Sequence, residues 1–323
     1  MNDKKPEVSV TIITYGHEKY IRQCLDSVLT QETSFPFEVI VAEDASPDNT
    51  RQILLEYKEK YGDQLILILH DENLGPSANS ASIRPFIKGK YVAIVEGDDY
   101  WTDKHKLQKQ YDLLEKHPEY SAVCSDNMTV DPSGNIIANT NLDLQEDIIK
   151  TMKDWQNEPY SVHTCTIFRR NIFPNNDPRY IELRRKTPTM GDIISFSVLY
   201  DYGPIYVMKD VMAAHRIAGK SDSSSFTIRN KKDPLKYTKL FIQIFTNVED
   251  YFDNKYDFSK RKCIKVALVK IGKITGYYQY AADEMRTITN TFSFGQRIYI
   301  DFLVLKELVN MVTRKIKKIW RKA

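Results

Sequence analysis

A chain of 323 residues that is 42% hydrophobic and 28% charged has the composition of a globular protein, with one large core or two modest ones, which excludes a disordered or fibrous polymer. Its formal charge of +3 is too small to argue for a nucleic-acid partner, so where the positive charge sits matters more than how much there is. Cys24, Cys124, Cys165 and Cys263 lack CxxC spacing and lie in apolar or strand-like surroundings. They read as buried reduced thiols, which favours a reducing cytosolic compartment and argues against a zinc site. The polar opening Asn2–Pro6 carries no signal-peptide pattern, and no apolar run is long enough to span a bilayer.

In chain order, Val8 to Thr14 is a β-branched run of the kind buried on both faces in a parallel sheet. Tyr15-Gly16-His17 turns the chain. From Glu18 to Gln31, apolar residues at Tyr20, Ile21, Cys24, Leu25, Val28 and Leu29 mark the inner stripe of a helix. A second strand is expected at Phe37 to Ala42, followed by the acidic turn Glu43-Asp44-Ala45-Ser46-Pro47 and a helix with Ile53, Leu54 and Tyr57 on one face. Gln64 to Leu69 reads as a third strand, Ala78 to Ile87 as a helix and Tyr91 to Val95 as a fourth strand. Strands alternating with helices imply βαβ units and an α/β fold, in which ligands bind beyond the carboxyl ends of the strands. The turns at Tyr15, Asp44 and Asp98 all lie at such ends.

After a helix at Lys104 to His117 and a strand at Tyr120 to Ser125 the alternation fades. Asp131 to Pro159 reads as a turn and a polar helix, Val162 to Phe168 as a strand, Ile193 to Leu199 as an apolar segment opened by Gly191-Asp192, and Ile205 to Met208 as a short strand. Lys220 to Asp233, rich in Ser, Asp and Lys, reads as a mobile loop, with Lys220 to Ser225 a candidate lid. Helical segments near Leu235 to Phe252, Ser259 to Met285 and Gly295 to Trp320 follow. The expected organisation is a catalytic domain at 1–220, divided into a nucleotide-binding part at 1–126 and an acceptor part at 127–220, then a loop at 221–233 and a helical module at 234–323.

Glu96-Gly97-Asp98-Asp99 places three carboxylates where a buried strand runs out. Taken alone it is either an acidic turn capping a helix or a site for a hard divalent cation that also binds phosphate oxygens. Asp44 is likewise either a turn residue or an acceptor for the N–H of a nucleotide base. The segments Val8–Tyr15, Phe37–Thr50 and Glu96–Trp101 together resemble glycosyltransferase family 2, the inverting enzymes of GT-A fold, over about the first two-thirds of the chain.

The resemblance implies a mixed, mostly parallel sheet flanked by helices, and a nucleotide-sugar donor, most readily a UDP-sugar. Thr14 and Tyr15 would lie at the nucleobase, Asp44 at its imide N–H and Glu96 near the ribose. Asp98 would be the direct ligand of Mg²⁺ or Mn²⁺ in a D-x-D element whose first Asp is replaced by Glu96. Asn73-Leu74-Gly75 with Asn79 is similar to the family's N-x-G…N turn, with Ala78 where a basic residue often stands and Arg84 as a possible substitute. Asp192 matches the acidic position that deprotonates the acceptor hydroxyl, although a helix N-cap is the alternative. His215-Arg216-Ile217-Ala218 resembles the family's Y-R-x-H segment with the His displaced. His215 is then a late metal ligand or a packed histidine, and Arg216 a guanidinium for the diphosphate.

Arg314 to Lys322 holds six basic residues and no acid, with Ile316, Ile319 and Trp320 on one helical face. That stripe suits an anionic membrane surface, and equally an ordinary helix end whose cations complement its dipole. A peripheral enzyme on the inner face of the cell membrane, acting on a glycan or polyprenyl-linked acceptor in bacterial surface-polysaccharide (capsule-type) synthesis, is the leading expectation. Two rivals remain open: a sugar-1-phosphate nucleotidyltransferase, which would carry a Gly-rich basic loop after the first strand, and a non-catalytic nucleotide-sugar or glycan binding protein.

Overall fold

A computed structural model describes residues 5–157, 162–187, 190–217 and 232–320. The chain divides into two compact units, the first built from residues 1–153, 160–184 and 194–219, the second from 154–159, 185–193 and 220–323.

The first unit is organised on one mixed sheet. Strands β1 (Val8–Thr14), β2 (Phe37–Glu43), β3 (Leu65–Leu69) and β4 (Tyr91–Glu96) pair in parallel in the order β3-β2-β1-β4. Beyond β4 the sheet turns mixed. Strand β9 (Phe168–Arg170) runs antiparallel to both β4 and β6 (Ala122–Val130), while β10 (Ile205–Arg216) runs parallel to β6. Three short strands complete it: β5 (Tyr100–Trp101) and β8 (Ile148–Lys150) on β10, and β7 (Ile136–Ala138) on β6. The expected mostly parallel α/β sheet is therefore present, although β7 and β8 fall where only a turn and a polar helix were expected.

Helix α1 (Ile21–Leu29) buries Ile21, Cys24, Leu25, Val28 and Leu29, the stripe legible in the sequence, and α4 (Lys106–Lys116) buries Leu107 and Leu114. Val8, Val10 and Ile12 of β1 join them in one core, which at roughly 25 cal/mol per Å² of apolar surface is the main stabilisation of the unit. On the same sheet, Ile40 and Ala42 of β2 form a smaller cluster with Ile83, which follows α3 (Pro76–Ser82). Helix α2 (Thr50–Tyr61) follows the acidic turn after β2. All four cysteines are buried free thiols, as their sequence contexts suggest.

The second unit is helical: α8 (Pro234–Tyr251), α9 (Ser259–Ile274), α10 (Ala282–Thr289) and α11 (Phe294–Trp320). Leu235, Val266, Met285, Ile288 and Ile300 share its core. The single helix expected over Ser259 to Met285 is instead two, interrupted after Ile274, where Gly276 takes φ +77°. Arg261 of α9 lies 4.0 Å from the ring centroid of Trp155 and donates Nη1 to the Trp155 carbonyl at 2.8 Å, so residues 154–159 belong to this helical core. The expected lid at Lys220–Ser225 and most of the loop at 221–233 lie outside the described residues. No described helix is long and apolar enough to cross a membrane.

Candidate active site

The first unit's site begins with backbone pairing. Thr14 is in register with Glu43 and Ile13 with Glu96, so the carboxyl ends of β2, β1 and β4 lie side by side. Asp44 N–H donates to the Thr14 carbonyl at 3.1 Å, and Gly97 N–H to the Ile13 carbonyl at 3.0 Å. These bonds carry the register past the strands and into the turns. Gly97 is there for space: a Cβ on it would lie 2.6 Å from Thr14 Oγ1 and 2.8 Å from both Thr14 Cβ and His17 Nδ1.

Asp98 is partly exposed, with His17 Nε2 4.0 Å from its Oδ2. Glu96 faces Thr164, whose hydroxyl lies 3.3 Å from Glu96 Oε1. Asp99 is only 1% exposed. Its Oδ1 accepts the Arg216 backbone N–H at 2.8 Å and lies 3.3 Å from His215 Nδ1, while Oδ2 accepts no hydrogen bond. Burial raises the Asp99 pKa and Asp98 adds to the rise, whereas His215 and the Arg216 N–H oppose it. Ligand atoms of Glu96, Asp98 and Asp99 lie within 4.8 Å of one another, as do those of Asp99, His163 and His215. An orphaned buried carboxylate oxygen between carboxylates and imidazoles fits a divalent cation, whose charge would satisfy it.

The nucleotide-side residues are placed with more structure around them than their sequence positions suggest. Tyr15 is 43% exposed at the end of β1, open to stacking, and Thr14 is buried against Gly97. Asp44 is buried, and its two carboxylate oxygens accept the backbone N–H groups of Leu74 at 2.8 Å and Gly75 at 2.9 Å. Gly75 meets it with φ +82°, a conformation glycine adopts without penalty. Asn73 Nδ2 donates to the Asp44 carbonyl at 3.2 Å and Asn79 Nδ2 to the Ala42 carbonyl at 3.1 Å. Asp44, Asn73 and Asn79 thus form a clamp that fixes the end of β2 against the turn before α3. Each Asp44 oxygen retains a second lone pair for a ligand.

Arg216, the guanidinium expected at the diphosphate, is bonded to groups of the protein. Its guanidinium donates to the carbonyls of Asp98 at 2.9 Å and Asp131 at 3.1 Å and to Gln23 Oε1 at 2.8 Å, and it lies 4.5 Å from the Tyr20 ring centroid. Only 6% of the residue is exposed. A buried fork spent on main-chain oxygens positions the Asp98-Asp99 turn instead of reaching into solvent. His215 stacks on His163 with ring centroids 3.6 Å apart, so it is both a packed histidine and a member of the second ligand group.

His163 is not legible as a site residue in the sequence: it falls in a segment that reads as a strand but leads into a 3₁₀ turn, Thr164–Thr166, before β9. His17 was legible only as a turn residue. Asp192 is the second residue of α7 (Gly191–Tyr202), inside its first turn and not at the N-cap position.

Residues 9–176, a little over half of the 323-residue chain, match the description Glycosyl transferase family 2. The chain is 36% identical over 115 residues to the putative teichuronic acid biosynthesis glycosyltransferase TuaG of Bacillus subtilis, covering 35% of this chain and 44% of that protein. To an uncharacterized protein of Mycobacterium tuberculosis it is 45% identical over 117 residues, or 36% of this chain and 34% of that one. The chain thus spans between a third and a half of the length of these curated relatives. Staphylococcus aureus TarS 1-349, solved in complex with UDP, superposes with a TM-score of 0.60 at 20% identity, covering 92% of this chain and 83% of that chain. That likeness is one of fold, and it matches the mixed sheet with helices following it. The sequence match over residues 9–176, carried on adjoining strand ends that gather Tyr15, Asp44 and Asp98, establishes that the chain belongs to glycosyl transferase family 2.

Proposed function

We propose that the protein transfers a sugar, with inversion, from a nucleotide-sugar donor, a UDP-sugar, to a glycan or polyprenyl-linked acceptor in bacterial surface-polysaccharide synthesis. The observation that carries this reading is the gathering of Glu96, Asp98 and Asp99 at the β4 end beside the Tyr15 and Asp44 turns of β1 and β2. Support comes from the relatives: TarS 1-349 has been solved with UDP-GlcNAc, and TuaG is named for teichuronic acid biosynthesis.

In this reading Tyr15 stacks on the base and Asp44, held rigid by Leu74 and Gly75, accepts its imide N–H. Asp98, with Glu96 beside it, holds Mg²⁺ or Mn²⁺, which when bound supplies positive charge to the departing diphosphate. Arg216 keeps that carboxylate in place through the Asp98 carbonyl. Asp192 takes the proton from the acceptor hydroxyl as it attacks the anomeric carbon. A nucleotidyltransferase finds no support in the turn Tyr15-Gly16-His17-Glu18, which lacks the basic Gly-rich loop that chemistry needs.

Asp192→Asn is expected to lower transfer by at least a thousandfold while UDP-sugar affinity, read by thermal shift with Mn²⁺, stays within about twofold. Near-normal turnover in that variant removes Asp192 as the base. The basic stretch Arg314 to Lys322, on the cytoplasmic side, would draw the enzyme to anionic lipid where a polyprenyl-linked acceptor resides.

A further inference from the structure

We propose that Asp99, His163 and His215 form a nitrogen-rich cation site that takes a borderline divalent ion, Mn²⁺, Co²⁺ or Zn²⁺, in preference to Mg²⁺ or Ca²⁺, and takes it without nucleotide. The proposal shares Asp99 with the metal reading above but needs neither the donor nor Asp98.

The argument starts from lone pairs. His163 Nδ1 lies 3.3 Å from Asp99 Oδ2, yet no hydrogen bond joins them. Two potential donors already face that nitrogen, the Cys165 backbone N–H at 3.4 Å and the Cys165 thiol at 3.2 Å. Nδ1 therefore presents a lone pair. A nitrogen lone pair and a carboxylate oxygen thus face each other across 3.3 Å, with the Cys165 thiol beside both. Burial makes that arrangement costly for Asp99 Oδ2, which has neither a hydrogen-bond partner nor access to water. The Cys165 N–H contact is too long to hold the lone pair firmly.

The spacing is that of ligands around a metal. With metal–nitrogen and metal–oxygen bonds of about 2.0–2.1 Å, neighbouring ligand atoms of a tetrahedral site are separated by roughly 3.3 Å. His163 Nδ1 to Asp99 Oδ2 and His215 Nδ1 to Asp99 Oδ1 are both 3.3 Å. Stacking of the two imidazoles, 28° from parallel, holds both nitrogens toward the same carboxylate. The site is also braced, because Arg216 N–H fixes Asp99 Oδ1. Imidazole in the donor set favours Mn²⁺, Co²⁺ and Zn²⁺, whereas Mg²⁺ and Ca²⁺ prefer oxygen throughout.

The test uses the full chain without nucleotide, titrated with Co²⁺ by its visible absorption and with Mn²⁺ by pulsed electron paramagnetic resonance, which detects ligand ¹⁴N. The expected result is ¹⁴N coupling in the parent protein, and at least tenfold weaker Co²⁺ binding in His163→Asn and in His215→Gln. Asn at 163 can still accept the Cys165 N–H, and cooperative thermal unfolding identifies variants that keep their fold. Asp98→Asn separates the two metal readings. Nitrogen coupling that persists in Asp98→Asn supports the inner site. Metal-independent donor binding in the parent would remove the donor-metal reading and leave the inner site standing. Absence of ¹⁴N coupling in the parent, or unchanged Co²⁺ affinity in a folded His163→Asn, overturns the inner site, and if donor binding still requires metal the Asp98 reading survives alone.

Discussion

Gly97 shows how one residue without a side chain can set a charged site. It sits between Glu96 and Asp98, and a methyl group there would meet Thr14 Cβ and His17 Nδ1 at 2.8 Å, closer than non-bonded atoms approach. Thr14 is β-branched and buried in register with Glu43, so it cannot swing aside, and the acidic turn would have to move. Gly97→Ala is therefore expected to cost about 1–3 kcal/mol of stability, the usual range for overpacking. Metal-dependent UDP-sugar binding should weaken by at least tenfold, because the shift falls on Asp98. A thermal-shift titration checks both, and an Ala variant with parental affinity would mean the turn's position is not set by this contact. The same scale shows what a sequence can reveal of such a site. Asp98 was legible because its carboxylate stands in a local pattern at a strand end. His163 was not, because it reaches Asp99 only when β9 and the turn before it fold onto β4, 64 positions away in the chain.

At the scale of elements, α4 carries the clearest pH signature. Lys106 opens it with no exposure; its Nζ donates to Gln110 Oε1 at 2.7 Å and lies 4.4 Å from the ring centroid of Trp101. Desolvation lowers its pKa from 10.5 to about 7. A base with a depressed folded-state pKa binds fewer protons folded than unfolded, so between about pH 7 and 10.5 the unfolded chain holds the extra proton and stability rises with pH. The folding free energy of the parent relative to Lys106→Met should grow by about 2 kcal/mol between about pH 7 and pH 9, measured by urea unfolding. A difference that stays flat would place the ammonium in contact with water. Elements differed in legibility for a related reason. The parallel strands β1, β2 and β4 are largely buried and read as apolar runs, as does the partly buried β3, whereas β10 extends through Lys209 and Asp210 to Arg216, with register shifts between Met208 and Ala213. Those polar residues, exposed at the irregularity, ended the expected strand at Met208.

At the scale of the whole molecule, the two units draw on the chain discontinuously, and that makes a firm expectation about truncation. The helical unit takes residues 154–159 and 185–193 from within the catalytic sequence as well as everything from 220 onward. Trp155, 3% exposed, packs 6.1 Å from Phe245 and beneath the Arg261 guanidinium, and Thr187, 1% exposed, lies 3.5 Å from Asn247 Nδ2. Cutting the chain after Gly219 would uncover these residues, and a large aromatic returned to water forfeits about 3–5 kcal/mol of packing. Removing only 312–323 leaves all of them in the chain. The parent is expected to bind anionic vesicles, and the short deletion to keep its unfolding midpoint and lose that binding. That association would draw on the basic tail and on the exposed stripe of α11 that precedes it, Phe294, Ile298, Phe302, Leu305 and Val309, which recurs every three or four residues along one helical face. The 1–219 fragment should aggregate or unfold at lower urea than either. Vesicle flotation together with urea unfolding of the three chains separates the two effects: binding that survives loss of 312–323 would move the lipid contact off the tail, and a 1–219 fragment with the parent's midpoint would show that the catalytic unit folds without the helices.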